Sequence, residues 1–263
     1  MSKTEKMLAR KEGPVGYVIF NNPARYNAVS LDMWEATGRI LADFAKDDDV
    51  RVVVLTGAGP RAFISGADIS RFEDERADEA GIAKYNDTVA GTFAAVDEFP
   101  KPTIAMIRGY CVGGGLGVAV ACDMRIASET ARFALPAAKL GLGYEYAGLR
   151  RFVDLVGPAF TKEIFFTARQ FDASEALAMG LVNRVVPDGD LEVFVKRYAD
   201  NVAGNAPLTM HATKFIVGEI RKDPSARDLA RCDALVAECF ASRDYVEGRT
   251  AFMEKRKPRF TGR

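Results

Sequence analysis

The chain has 263 residues, 48% of them hydrophobic, and its 36 lysines and arginines balance 36 aspartates and glutamates. That length holds one large domain or a core with an appendage, and a formal net charge of zero gives no reason to propose nucleic acid or an anionic membrane surface as partner. No apolar run reaches the roughly 18–20 residues of a membrane span, and the opening MSKTEKMLARKEG lacks the apolar stretch of a secretory signal.

In chain order, GYVIF (16–20) is a short β-type run closed by Asn21-Asn22-Pro23. LDMWEATGRILADFAKD follows with apolar residues at helical spacing and Ser30 as its N-cap. VRVVVLTG (50–57) and PTIAMIRG (102–109) are continuous runs of the kind found in strands buried on both faces. A polar helical region over 73–98 separates them. After the second come GYCVGGGLGVAVACD (109–123), an apolar helix and the strand-like DMRIA (123–127). Strands separated by helices predict an α/β or mixed fold built from crossover units. Beyond residue 190 only helical segments remain: LEVFVKRYADNVAG, PLTMHATKFIVGEI, ARDLARCDALVAECFAS and DYVEGRTAFMEKR. The expected division is a mixed core over 1–190 and a helical region over 191–263, which covers the core or builds an oligomer interface.

Few residues are available for metal or nucleophilic chemistry. His211 is the only histidine, whereas a zinc site needs about four N, S or O ligands, or three plus water. Cys111, Cys122, Cys232 and Cys239 lack CxxC spacing and read as reduced packing thiols in a cytoplasmic protein. Neither glycine cluster is followed by the Lys-Ser or Lys-Thr of a P-loop. Gly57-Ala58-Gly59-Pro60-Arg61-Ala62 is formally a GxGxxA after a strand, but Pro60 and RAFISGADIS make a poor crossover helix for a dinucleotide site. Gly113, Gly114 and Gly115 stand between a buried strand and an apolar helix. There, bare N–H groups and a positive dipole end suit an oxygen that gains negative charge; a tight packing turn is the other reading.

Four stretches, NNPARYNAVS (21–30), RAFISGADIS (61–70), KPTIAMIRGYCVGGGLGVAVACDMRIAS (101–128) and TARQFDASEALAMGLVNRVVP (167–187), together with EGRTAFMEKRKPRF (247–260), resemble the crotonase superfamily, the enoyl-CoA hydratase/isomerase family. The resemblance spans nearly the whole chain. It implies a crotonase-like spiral of ββα units with a C-terminal helical trimerisation region, and a homotrimer or homohexamer. It also implies an acyl-CoA thioester substrate, with coenzyme A arriving as part of that substrate and no bound cofactor or metal. By motif match, the backbone N–H groups of Ala67 and Gly114 would hold the thioester oxyanion, with Gly113 beside them. Ser65, Gly66, Asp68 and Ile69 fall on the loop that resembles the adenine and pantetheine contact region. Arg25 lies where relatives place a basic residue near the CoA phosphates, and Phe252 and Lys255 resemble C-terminal residues that reach CoA, often from a neighbouring subunit.

The sequence departs from the hydratases at both catalytic glutamates, which are replaced by Gly117 and Ala137. Neither side chain can move a proton. Glu145, in GLGYEYAG, stands where related isomerases and a dehalogenase carry a catalytic aspartate, and Tyr144 and Tyr146 flank it. Two readings follow: an enzyme that uses Glu145 for hydratase, isomerase, hydrolase or decarboxylase chemistry, or an acyl-CoA-binding homologue that has lost proton transfer.

Overall fold

The computed structural model describes residues 4–263. Strands β1 (Met7–Glu12) and β2 (Val15–Phe20) form an antiparallel hairpin with Glu12 opposite Val15. Its tight turn places Gly13 at φ 57°, a conformation open to glycine at no steric cost. Helix α1 (Leu31–Lys46) then buries Met33, Trp34, Leu41 and Phe44 along one face.

From β3 (Val52–Gly57) the chain repeats one pattern: a strand in a large sheet, a three-residue strand in a second sheet, then helix. β3 is followed by β4 (Ala62–Ile64), α2 (Phe72–Glu75) and α3 (Glu79–Asp97). β5 (Thr103–Ile107) is followed by β6 (Tyr110–Val112) and α4 (Gly114–Ala121). β7 (Met124–Ser128) is followed by β8 (Arg132–Ala134) and α5 (Tyr146–Thr167), which is kinked at Gly157. A last turn gives β9 (Gln170–Asp172), α6 (Ala173–Ala178) and β10 (Arg184–Val186). The sheets run β1-β2-β3-β5-β7-β10 and β4-β6-β8-β9. Beyond the first hairpin every pairing is parallel except β8 with β9. This is a mixed α/β spiral of ββα units.

The large sheet is covered on both faces, which is why its strands read as unbroken apolar runs. One face meets α1, α4 and the small sheet through Val18, Phe20, Trp34, Leu55, Phe63 and Leu116. The other face presents Tyr17, Val52, Val54, Ile104 and Ile126 to α7 (Leu191–Ala203), which buries Leu191, Val195, Ala199 and Ala203. Helices α8 (Pro207–Ile220), α9 (Leu229–Ala241) and α10 (Arg243–Met253) complete the chain. The buried Asp244 carboxylate accepts from the amides of Thr261 (2.7 Å) and Gly262 (2.8 Å), and Arg51 donates to the Phe260 carbonyl at 2.7 Å. These bonds fold the C-terminal end back onto the core.

Two local expectations change and a third holds. The helical region over 73–98 divides into α2 and α3, because Asp78 takes extended dihedrals and accepts from the Gly81 amide as a new N-cap. Ser30 occupies the N-cap of α1, but its hydroxyl donates to the Asp32 carboxylate, and the orphan Leu31 amide goes to Glu75 instead. The Gly57–Ala62 motif opens strand β4 and no helix. A Cβ at Gly57 would lie 2.3 Å from the carbonyl oxygens of Ala62 and Phe63, so that glycine serves a close backbone crossing.

Candidate active site

Two loops meet at the N-terminus of α4. The first, 21–30, is zipped to the second, 65–68: Ser65 donates to the Tyr26 carbonyl (3.1 Å), Val29 to Gly66 (2.9 Å) and Asp68 to Val29 (2.9 Å). Asn27 holds the first loop in shape. Buried and at φ 55°, it donates from Nδ2 to the carbonyls of Ala58 (3.0 Å) and Ala62 (2.7 Å) and accepts from the Asn22 amide (2.9 Å). Asparagine tolerates this left-handed conformation better than most residues.

The pairing of Val29 with Ala67 is parallel, and it uses the Gly66 carbonyl and the Asp68 amide. The Ala67 N–H therefore faces away from Val29 and has no backbone acceptor among the described residues. Gly114 is the first residue of α4, so its N–H is one of the four that a helix cannot satisfy internally. Gly66 (φ 118°) and Gly113 (φ 55°) bring the two loops close: a Cβ on Gly113 would stand 3.8 Å from the Gly66 Cα. Gly115 allows the helix to approach β4, since a Cβ there would fall 2.4 Å from the Ile64 carbonyl. The glycine run thus serves a tight packing turn and leaves the Gly114 amide without an intrahelical partner.

Around this point lie aromatic side chains. Trp34, on the first turn of α1, would be 3.1 Å from a Cβ at Gly114, and it meets Phe93 edge-on at 5.8 Å. Its indole N–H donates to the Tyr85 hydroxyl at 3.3 Å. Gly117 is backed by the Phe93 ring, which would lie 2.6 Å from any Cβ at that position. Ala137 is buried in the turn that follows β8.

Arg25, Ser65 and Asp68 of the candidate set lie together. Asp68, only 5% exposed, accepts from Ser70 (2.6 Å) and Arg25 (3.1 Å). Burial would raise its carboxyl, but the Ser70 hydroxyl and the Arg25 guanidinium outweigh burial and hold it below the usual carboxylate range. Arg25 remains more than half exposed and also reaches Ser70, while Ser65 and Ile69 sit on the same loop with Ile69 exposed. Tyr144 is half-buried against Phe165 at 5.0 Å, and burial pushes its phenol up to about 12. Glu145 is the N-cap of α5, exposed and without a side-chain cap bond; Tyr146 is exposed beside it. Phe252 and Lys255 lie at the end of α10, far out on the surface of this single chain. His211 faces the Pro100 carbonyl from α8 and is remote from these loops in the fold. Among the described residues, no group of three or more His, Cys, Asp and Glu is placed to hold a metal ion, and no helix is long and apolar enough to cross a membrane. Sequence reasoning did not single out Asn27, Trp34, Phe93, Tyr85 or Glu75, because each acts through tertiary contact and carries no local motif.

A spiral of ββα units built on two sheets is the architecture of the crotonase class of folds. The family model described as enoyl-CoA hydratase/isomerase matches residues 10–263, and the chain belongs to that family. It is 35% identical to the short-chain-enoyl-CoA hydratase of Clostridium acetobutylicum, over 95% of either chain. It is 36% identical to the carnitinyl-CoA dehydratase of Proteus mirabilis, over 95% of this chain and 96% of that one. Among solved structures it is similar to an enoyl-CoA hydratase from Bacillus anthracis (TM-score 0.89, 30% identity, 98% of this chain and 100% of that chain). It is also similar to an enoyl-CoA hydratase/carnithine racemase from Magnetospirillum magneticum (TM-score 0.92, 34% identity, 99% and 97%). The chain is therefore an enzyme of the hydratase/isomerase family.

Proposed function

We propose that the enzyme processes acyl-CoA thioesters through an enolate whose oxygen is held by the N–H groups of Ala67 and Gly114. The observation that carries this reading is the pair of amides on facing loops, neither bonded to a backbone acceptor. An acyl thioester loses a proton from C2 with difficulty because charge builds on the carbonyl oxygen. Two fixed donors, one at the positive end of a helix, stabilise that charge without having to reorganise. Arg25 and the 65–69 loop form the polar rim toward which the CoA moiety would extend, with Arg25 exposed enough to reach a phosphate. Phe252 and Lys255 would serve the CoA of a neighbouring subunit in a homotrimer or homohexamer, a role in keeping with their exposure in one chain. Four free cysteines, three of them buried, accord with a cytoplasmic setting.

Glu145 is the proton-transfer group on this reading: an exposed carboxylate able to activate water at the mouth of the site. A mass-spectrometric turnover screen over 2-enoyl-, 3-enoyl-, dienoyl-, malonyl- and aroyl-CoA, run beside Glu145→Gln, tests it. The expected result is a product from one thioester class whose formation falls by about 10²–10⁴-fold in the variant, with CoA affinity intact. Acyl-CoA binding with no product from any thioester would favour the other reading, a binding homologue whose proton chemistry went with positions 117 and 137.

A further inference from the structure

We propose that Glu75 is a second catalytic carboxylate of this site, the group that exchanges a proton with C2 of the acyl chain; the proposal rests on the enolate reading above. Glu75 ends α2 and is 9% exposed. Its Oε1 accepts from the Leu31 amide at 3.1 Å and lies 3.8 Å from Arg71 Nε. Its Oε2 is buried with no partner at all. The neighbouring Arg76 Nε is likewise buried and unpartnered, and these two are the only such side-chain atoms among the described residues. A carboxylate kept for structure would satisfy both oxygens, because a buried acceptor without a donor costs stability.

The placement of this orphan oxygen ties it to the oxyanion donors. Val29 pairs with Ala67, Leu31 binds Glu75, and Trp34 lies against Gly114, so one stretch of six residues anchors both amides and the carboxylate. The neighbouring side chains are aromatic. Arg76 stacks between Phe72 and Tyr85, 4.0 Å from each ring centroid, and Tyr85 accepts from Trp34.

The groups that face Glu75 are Arg71, Asp32, Asp68, Arg76 and Tyr85. Burial is the largest influence on its carboxyl and raises it. The Leu31 amide and Arg71 pull the other way, the charges of Asp32 and Asp68 add to the rise, and the net direction is upward. A buried acid with a raised pKa, working with a separate exposed carboxylate, is the division of roles that two-carboxylate catalysis uses.

The hydration step balances with these two groups. Water oxygen bonds to C3 of a 2-enoyl thioester and Glu145 takes the water proton. The C2–C3 π pair moves to C1–C2 while the carbonyl pair moves onto the oxygen held by Ala67 and Gly114. The carboxylic acid of Glu75 then gives its proton to C2 as the oxyanion collapses to the thioester. In reverse, Glu75 as carboxylate removes the C2 proton.

That reverse half needs no hydration and is the step to measure. Butyryl-CoA incubated with the enzyme in D₂O should gain deuterium at C2, read by mass spectrometry. In Glu75→Gln, whose amide oxygen still accepts from Leu31, the exchange rate should fall by about 100-fold or more with butyryl-CoA binding unchanged. Wild-type exchange should decline as pH falls, since the base is lost on protonation, with a midpoint above the ordinary carboxylate range; Glu75→Gln should lose that limb. Glu75→Asp, which keeps a shorter carboxylate, should recover part of the rate and keep the limb, and it gives the answer should Glu75→Gln not fold. Wild-type exchange with an undiminished rate and limb in both Glu75 variants would overturn the role of Glu75 alone. Bound butyryl-CoA with no exchange in the wild type would overturn the enolate reading itself.

Discussion

Ala67→Pro should lower kcat/KM by about 100–1,000-fold while leaving the fold and the affinity for CoA nearly unchanged, the cost of one oxyanion donor. Proline removes an N–H. At most positions that would also break a structural bond, but the Val29–Ala67 pairing runs through the Gly66 carbonyl and the Asp68 amide. The residue before the new proline is Gly66, which has no Cβ to clash with the ring. The substitution therefore tests the amide as a catalytic group with little else disturbed. Ala67→Gly, which keeps the N–H, is the control and should stay within a few-fold of wild type. Gly114→Pro asks the same of the second donor, because proline is tolerated at the first position of a helix. There the ring must displace the edge of Trp34, 3.1 Å from the Cβ position, so a larger loss with some change in binding is expected. Steady-state kinetics on whichever thioester the screen identifies, with calorimetric binding of CoA, separates the two effects. Wild-type turnover in Ala67→Pro would remove that amide from the mechanism.

The difference in legibility between these two positions and Glu75 has a physical origin. Val52–Leu55 and Ile104–Ile107 read as buried strands because both faces of the large sheet are covered, so every side chain had to be apolar. Gly113–Gly115 and the SGAD stretch stood out because close backbone approach leaves a mark on composition, and the same marks carried the family resemblance. The short strands of the second sheet left none. Three residues are too few for a period, and β4, β6, β8 and β9 exist because their neighbours supply partners. Glu75 illustrates the limit most clearly. In RFEDERADEA it is one acid among several, and local sequence reads it as a solvated helix face. What distinguishes it is the Leu31 amide, supplied from 44 residues earlier. Ser30 carries the N-cap signature without making the bond, and a distant carboxylate makes it instead. Tertiary contact overrode the local rule at the place where function is proposed, which is where such conflicts are expected.

Packing leaves little room for a side chain at position 117, and Gly117→Glu should show it. A Cβ there would lie 2.6 Å from Phe93 Cζ and 2.9 Å from Cε2, and Gly117 itself is buried inside α4. Phe93 meets Trp34 edge-on and Trp34 lies over Gly114, so a ring displaced toward Trp34 would press on both. Overpacking of this kind costs about 1–3 kcal/mol, and a buried carboxylate without a partner adds to that. Gly117→Glu should therefore lower the melting temperature by several degrees and impair turnover through the displaced Trp34. Phe93 is only partly buried, so Phe93→Ala alone should cost less than the about 3–5 kcal/mol of a fully buried phenylalanine. In the double variant the new side chain would take the space the ring leaves. The cycle should show a favourable coupling of about 0.5–3 kcal/mol, and hydration of a 2-enoyl-CoA should exceed that of Phe93→Ala. Additive destabilisation would mean that Phe93 yields without cost and that its ring is not what excludes a side chain at 117. A favourable coupling would mean that the Phe93 ring and the glycine at 117 form one packing unit with Trp34, in which the ring fills the space a side chain at 117 would need.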